Sequence, residues 1–375
     1  MWKHEFLKSL INDLRSREKY FPLLLIFASL TLSGCAQFGP KAIEASRTDY
    51  NIAMHRTEEE QSLLNLVRLR YGDRPYFLEA TALNTQFSIA PSLEVRSTVN
   101  PDAADIYNIG GRLAFEEKPT ISYAPLTGEA FVRQVLSRIS LETILLLDSS
   151  GWRTERVLRL CVEKLNNLDN AARASGPTPL IGADTSAFMR AISLISAFLE
   201  SGDLRFYQKP SEENQNVVAV FSESSRSTPE YRELTQLLEI EPGLDEYALA
   251  ANAVNNDGAT ISFATRSFMG VLYFLSLAVD VPEAHLAAGI AATTKTAGGT
   301  PFDWGVVTQD LLKIRSVSTK QESANVGVKY RGTWFYIDDT DVESKSTFAL
   351  LGQLFALQSK NDGSNAPILT LPLGN

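Results

Sequence analysis

Histidine is almost missing from this chain, with three among 375 residues, at His4, His55 and His285. No H-x-x-x-H or C-x-x-C spacing occurs, so a zinc centre or a histidine-based triad has no ligand or base set to rest on. The two cysteines, Cys35 and Cys161, are too few for a disulfide framework. Neither G-x-S-x-G nor G-x-x-x-x-G-K-[ST] is present, and Gly298-Gly299 lacks the lysine that would hold a phosphate. No cofactor is implied. Positive charge is short as well: 35 Lys and Arg against 44 Asp and Glu give −9. That balance excludes the basic footprint of a nucleic-acid binder and any pull toward anionic lipid surfaces. Long hydrophobic runs are also lacking. The apolar stretches 21–32 and 268–279 hold twelve residues each. Twelve residues rise about 18 Å as a helix, against a hydrocarbon core of about 30 Å.

What is present begins at the N-terminus. Residues 1–20 carry Lys3, Lys8, Arg15, Arg17 and Lys19 against Glu5, Asp13 and Glu18, a net of +2. The apolar stretch 21–32 follows, and then Ser33, Gly34 and Cys35. A basic segment, a short apolar segment and small residues at a cleavage point are the parts of a secretory signal.

The run Leu32-Ser33-Gly34-Cys35 resembles the lipobox of bacterial lipoprotein precursors. The resemblance covers about 35 residues, as read against the signal-peptide pattern. It implies cleavage between Gly34 and Cys35, diacylation of the Cys35 sulfur and acylation of the new amino group. Two or three acyl chains, at about 0.8 kcal/mol per buried methylene, hold a protein where one chain does not. Ala36 after the cysteine is, in that family, permissive for the outer membrane. The implied location is the outer membrane, lipid-anchored and facing the periplasm. Without the signal, the charge of the mature chain falls from −9 to −11.

With Cys35 acylated, Cys161 has no cysteine to pair with. It falls in the stretch 153–168, where Leu158, Cys161, Val162, Leu165 and Leu168 recur at helical spacing. A thiol on such a stripe is a small core residue rather than a nucleophile.

The body reads as α+β. Apolar content of 44% and charged content of 21% are ordinary globular values. Ser46-x-x-Asp49 and Thr57-x-x-Glu60 have capping-box spacing and predict helix starts, with Gly72 and Pro75 as the stop. Over 76–123 the period changes: Leu83, Phe87 and Ile89 alternate with Ala82, Asn84, Gln86 and Ser88. Leu93/Val95 and Leu113/Phe115 continue the pattern. Turn chemistry at Asn100-Pro101-Asp102 and at Gly110-Gly111 predicts two or three antiparallel strands. These strands pack within one chain or join copies in a ring, as one chain supplies too few to close a barrel.

Helices are expected at 128–138, 141–147, 153–168 and 186–199, strands at 204–207 and 217–221, and helices after Pro229 and over 268–279. The Ala-, Gly- and Thr-rich stretch 284–300 reads as a mobile connection. A hairpin over 324–330 and 333–337, a helix at 342–357 and a strand at 367–371 complete the pattern. The organisation is a signal peptide at 1–34, a lipidated tether at 35–41, a helix with antiparallel strands at 42–126, a helical region at 127–203 and an α+β C-terminal domain at 204–375.

Two features could carry chemistry. Asp338-Asp339-Thr340-Asp341-Val342-Glu343 is dense in carboxylates but lacks the glycine and closing glutamate of a calcium loop. Acids there suit the start of the following helix, so no metal site is assigned. Trp334-Phe335-Tyr336 places Trp334 and Tyr336 on one face of a strand, a candidate binding surface for glycan or peptide, with Phe335 on the other. The leading expectation is a non-enzymatic scaffold or assembly subunit of the cell envelope. It would be held by its lipid, bind envelope proteins or peptidoglycan, and be capable of homo-oligomerisation. The alternative is a peptidoglycan or glycan hydrolase working through two carboxylates.

Replacing Cys35 by serine is expected to abolish metabolic fatty-acid labelling and to release the protein from the membrane fraction. Label retained on the variant would refute lipidation at this residue.

Overall fold

The computed structural model describes residues 38–98, 106–177, 179, 181–209, 216–251 and 257–358. The expected lipobox, its Gly34-Cys35 junction and the strand at 367–371 lie outside the described residues. The chain divides into two compact units between Glu60 and Gln61. Helix and strand are mixed throughout the second, and the fold is α+β.

Helix α1 runs unbroken over Phe38–Arg70, so the two capping boxes lie inside it and start nothing. Interior amides already donate to the carbonyl four residues back. The Thr57 hydroxyl accordingly turns back and donates to the Met54 carbonyl at 2.8 Å. In the first unit Arg56 pairs with Glu60 at 3.1 Å and His55 lies 3.7 Å from Glu59, both one helical turn apart. In the second unit the helix turns a buried face inward with Leu63, Leu66 and Val67.

The helix stops where the sequence places its stop. Gly72 takes φ +75°, its N–H donates to the Leu69 carbonyl at 3.0 Å, and the Asp73 N–H donates to the Arg68 carbonyl at 2.9 Å. This is the paired closure of a Schellman motif, and it needs a residue free to enter the left-handed region.

Strands β1 (Leu78–Thr98) and β2 (Ile106–Pro125) form one antiparallel two-stranded ribbon. Gly110 and Gly111 lie within β2, opposite Glu94 and Leu93, so the turn expected there does not form. The other expected turn, Asn100-Pro101-Asp102, falls in the undescribed stretch between the strands.

Helices α2 (Glu129–Leu136), α3 (Leu141–Ser149) and α4 (Thr154–Cys161) follow, the second capped by Ser140 Oγ accepting from the Thr143 N–H at 3.1 Å. The helix expected over 153–168 ends at Cys161. From Val162 the chain is strand β3 (Val162–Leu165), turning into β4 (Leu168–Asp169). Helix α5 (Ser186–Ser201), strands β5 (Leu204–Lys209) and β6 (Asn216–Phe221), helix α6 (Pro229–Leu238) and strands β7 (Tyr247–Ala251) and β8 (Thr260–Thr265) complete a six-stranded sheet. Its order is β4-β3-β8-β7-β6-β5, antiparallel except between β7 and β8. The sheet takes strands from both sides of the boundary expected at 203/204.

Sheet and helices meet through aromatic rings. Phe221 of β6 lies edge-on to Phe198 of α5 at 5.6 Å and to Tyr231 of α6 at 5.0 Å. Tyr231 and Tyr247 share a buried hydroxyl contact of 2.8 Å.

Helices α7 (Phe268–Ser276), α8 (Glu283–Ala287) and α9 (Gly305–Thr308) lead to a second, three-stranded sheet. It comprises β9 (Arg315–Val317), β10 (Ala324–Tyr330) and β11 (Thr333–Asp338), in the order β10-β11-β9, and helix α10 (Val342–Gln358) follows. The stretch 284–300 is tied down rather than loose. The Gly182 N–H donates to the Lys295 carbonyl at 3.0 Å, and the Thr294 hydroxyl donates to the Pro179 carbonyl at 2.8 Å while accepting from Trp304 Nε1 at 2.9 Å.

One side chain explains why α4 stops early. Arg266, following β8, is 1% exposed, and its hydrogen bonds among the described residues go to backbone carbonyls and one hydroxyl, with Glu163 and Asp169 acting on its charge from farther off. Its guanidinium donates to the carbonyls of Arg159 at 3.0 Å, Leu160 at 3.1 Å, Val162 at 2.8 Å and Asn170, and to Ser175 Oγ at 3.0 Å. The Phe274 ring covers it at 4.1 Å. Carbonyls left over at a helix C-terminus carry partial negative charge, so a buried cation there replaces both the missing amides and the missing counter-ion. Burial pulls the Arg266 pKa down to about 10, which still leaves it charged at neutral pH.

Arg266→Met is expected to destabilise the fold by about 3–5 kcal/mol, because the carbonyls it satisfies would stay buried and unpaired. Arg266→Lys should recover only part, since an ammonium lacks the fork that spans both sides of the cluster. Urea unfolding of the three proteins measures this, and equal midpoints would contradict it.

Candidate functional surfaces

Trp334 and Tyr336 do not make an open platform. Phe335 and Tyr336 are both buried, Tyr336 at 8% exposure. Trp334 is half-buried with the Lys320 ammonium 5.6 Å from its ring centre. The adjoining turn is closed by Arg331 and Gly332, at φ +46° and +85°, as a two-residue hairpin loop requires. Arg331 stays in this unfavourable region because Asp73 pairs with it at 3.0 Å and the Tyr71 and Tyr330 rings each lie 5.5 Å beneath it. Tyr330 also donates to Asp73, and the two hydrogen bonds hold the Asp73 carboxyl below its usual range. His285 meets the Tyr71 hydroxyl at 2.6 Å in the same cluster. These groups are committed to joining the end of α1 to the second sheet.

The acidic run is a helix start. Asp341 accepts from the Ser344 N–H at 3.0 Å and from its hydroxyl at 2.7 Å. Asp338 accepts from the Thr340 N–H at 3.0 Å, which with the Thr340 hydroxyl holds its carboxyl low, and Asp339 pairs with Lys345 at 2.7 Å. Asp338, Asp339 and Asp341 therefore serve the turn or the first part of α10, while Glu343 pairs with Arg156 of α4. Among the described residues no group of three His, Cys, Asp or Glu is placed to hold a metal ion. Cys161 is fully buried, and burial pushes its thiol pKa up to about 12. A thiol in that setting is a core residue.

Two further surfaces stand out among the described residues. The first is a groove of about 840 Å³ between α3 and the edge strand β5, lined by Leu141, Leu145, Leu146, Phe206 and Tyr207 among others. Its two carboxylates, Glu142 and Asp148, stand on the same wall because both belong to α3, and Asp148 is engaged by the Thr154 hydroxyl.

The second is the β1–β2 ribbon. Among the described residues its strands pair with each other and with no third strand. Its base is held to α1 by two side-chain amides that act as a substitute strand. Asn65 Nδ2 donates to the Tyr76 carbonyl and Asn65 Oδ1 accepts from the Tyr76 N–H, both at 2.9 Å. One turn earlier Gln61 does the same for Leu78, at 3.0 and 2.7 Å. Positions i and i+4 of a helix thus match positions i and i+2 of a strand, a correspondence that no local sequence pattern signals. At this base Ile121 is 38% exposed and Tyr123 50%.

No protein-family model, curated protein or solved structure matches the chain.

Asn65→Leu combined with Gln61→Leu is expected to free the ribbon from α1. The part-buried Tyr76 backbone left unpaired costs about 1–3 kcal/mol, and the exposed Leu78 backbone turns to water, so the segment around them should open first. Amide hydrogen exchange at 76–80 should speed up at least tenfold while exchange in α5 and β6 stays unchanged. Equal exchange at 76–80 in both proteins would show that the amides do not hold the base.

Proposed function

We propose that the chain is a lipid-anchored subunit of an assembly in the outer membrane, facing the periplasm, and that it works by binding neighbours rather than by catalysis. The observation that carries this reading is the ribbon. A two-stranded sheet with no third strand is marginal by itself in water, and strand edges are templates for pairing with further strands. A strand of about 20 residues is far longer than the typical five or six, so the ribbon offers an unusual length of edge. The lipobox resemblance at Leu32-Ser33-Gly34-Cys35 supports the membrane location, with Cys35 acylated through its sulfur and its new amino group. No helix among the described residues is long and apolar enough to cross a membrane, so attachment in this reading does not rest on a spanning helix. Envelope proteins are the partners in view. No cofactor or metal enters the reading.

The hydrolase alternative requires two carboxyl groups facing each other across the sugar. In the groove beside α3 both acids lie on one wall, which does not supply that arrangement.

The test is photo-crosslinking in intact cells, with a crosslinking amino acid placed singly at ribbon positions Asn84, Ser92, Arg112 and Thr120. Exposed Glu230 on α6 serves as control. The expected result is discrete crosslinked species from the ribbon positions and none from Glu230. Absence of any species at all four ribbon positions, or release of glycan fragments when the purified lipidated protein is given peptidoglycan, would overturn the proposal.

A further inference from the structure

The register of the ribbon sorts its residues by polarity. Odd positions of β1 face odd positions of β2. From the tip toward the base the pairs are Ser97–Tyr107, Val95–Ile109, Leu93–Gly111, Pro91–Leu113 and Ile89–Phe115. All ten residues are uncharged, and most are apolar. The next odd pair, Phe87–Glu117, brings in a charge, and beyond it come Thr85–Pro119 and Leu83–Ile121. The even positions over the same span pair Arg96 with Asn108, Glu94 with Gly110, Ser92 with Arg112, Ala90 with Ala114 and Ser88 with Glu116. Alternate positions of a pleated strand belong to opposite faces, so one face carries the uncharged set and the other carries four charges of both signs.

The length of the uncharged set is informative. It spans Ile89 to Ser97, nine positions of β1. A strand tilted about 45° crosses a bilayer core in about 9–11 residues. Tyr107 stands at one limit of the set and Glu117 just past the other, positions that correspond to the two membrane interfaces. A half-buried strand of a water-soluble sheet needs apolar alternation only over its contact with a core. Here the alternation continues through a ribbon that has no third strand among the described residues. At the base the same odd set reaches Ile121 and Tyr123, whose side chains are exposed.

We propose that the β1–β2 ribbon spans the membrane as one element of a closed barrel made with ribbons from other copies of this chain. This rests on the reading of the chain as an outer-membrane assembly subunit and names its partner. The physical requirement is strict. An open strand edge in hydrocarbon leaves every second N–H and C=O unpaired at several kcal/mol each, so a spanning ribbon must have its edges covered on both sides. A second copy offers edges of the same length and the same polarity pattern, and repetition of one interface around a ring covers every edge. Barrels of this class have eight or more strands, which at two per chain means at least about four copies. The odd face then meets acyl chains, and the even face, with Glu94, Arg96, Arg112 and Glu116, lines a polar interior. Pro91 and Pro119 lack an N–H, so each ladder forgoes one hydrogen bond at those positions.

The experiment uses the full lipidated chain, extracted and reconstituted in phosphatidylcholine vesicles, with single cysteines introduced one at a time from Ser88 to Arg96. Cys161 stays in place, since its burial keeps it out of the reaction. A water-soluble maleimide should label Ser88→Cys, Ala90→Cys, Ser92→Cys, Glu94→Cys and Arg96→Cys at least tenfold faster than Ile89→Cys, Pro91→Cys, Leu93→Cys and Val95→Cys. When the cysteines are instead tagged with a membrane-permeant fluorescent maleimide, the odd variants should be quenched by a lipid-borne spin label and the even ones should not. Bifunctional crosslinking of the unaltered protein in the same vesicles should give a ladder ending at four or more copies. Equal water labelling at odd and even positions would overturn membrane insertion and leave the assembly reading standing. Alternating labelling with no species larger than one chain would overturn closure by copies. If the vesicles show alternation and copies but the cell-based crosslinks above are absent, the assembly reading fails while the intrinsic capacity of the ribbon stands.

Discussion

A buried guanidinium hydrogen-bonded to backbone carbonyls organises the second unit of this protein. Arg266 takes up carbonyls from the end of α4, the start of β3 and the loop after β4, and Phe274 closes over it. Burying a cation is costly, and here the cost is offset by the carbonyls, which would otherwise be orphans, and by the charges of Glu163 and Asp169. The same residue is held by its backbone: its N–H donates to the Cys161 carbonyl at 2.7 Å, and its own carbonyl accepts from the Ile139 N–H at 2.9 Å. Helix end, strand start and the entrance to α7 therefore meet at one position. The neighbouring Arg159, also buried, repeats the pattern with the carbonyls of Val307 and Gln309.

This node also shows where sequence reading failed. The stripe Leu158, Cys161, Val162, Leu165 continues a helical period, so periodicity alone carries the helix past Cys161. Pairing of β3 with β8 and the demands of Arg266 override it, and both depend on residues about a hundred positions away. Strands β7 and β8 were invisible for a related reason. Tyr247–Ala251 is mostly alanine, and Thr260–Thr265 is buried on both sides, so neither shows clean alternation. Elements with local punctuation were legible: Gly72 after α1, Pro229 opening α6 and the Arg331-Gly332 turn all stand as their residue chemistry suggests.

The candidate sites divide in the same way. That the acidic run caps a helix was readable, because Asp341 and Ser344 have the spacing of a cap and its amide. Burial of Tyr336 was not, because strand alternation assigns faces without saying what lies over each of them. For the ribbon, alternation was visible while its extent was not. Gly110-Gly111 reads as a turn, and only pairing with Glu94 and Leu93 shows that one strand continues through it. The amide clamp from Gln61 and Asn65 had no signal, since a helix and a strand share no period.

The pairing of β3 with β8 has a consequence for how the chain reaches this state. Contacts of Arg266 with Arg159, Leu160 and Val162 close loops of 107, 106 and 104 residues. Closing a loop of that size must precede the hydrogen bonds that reward it, which slows folding. During synthesis α4 and β3 emerge long before their partners, so the early part of the body has no complete core to settle into. Arg266 then acts as a latch that engages only after the first 266 of the 375 residues have been made.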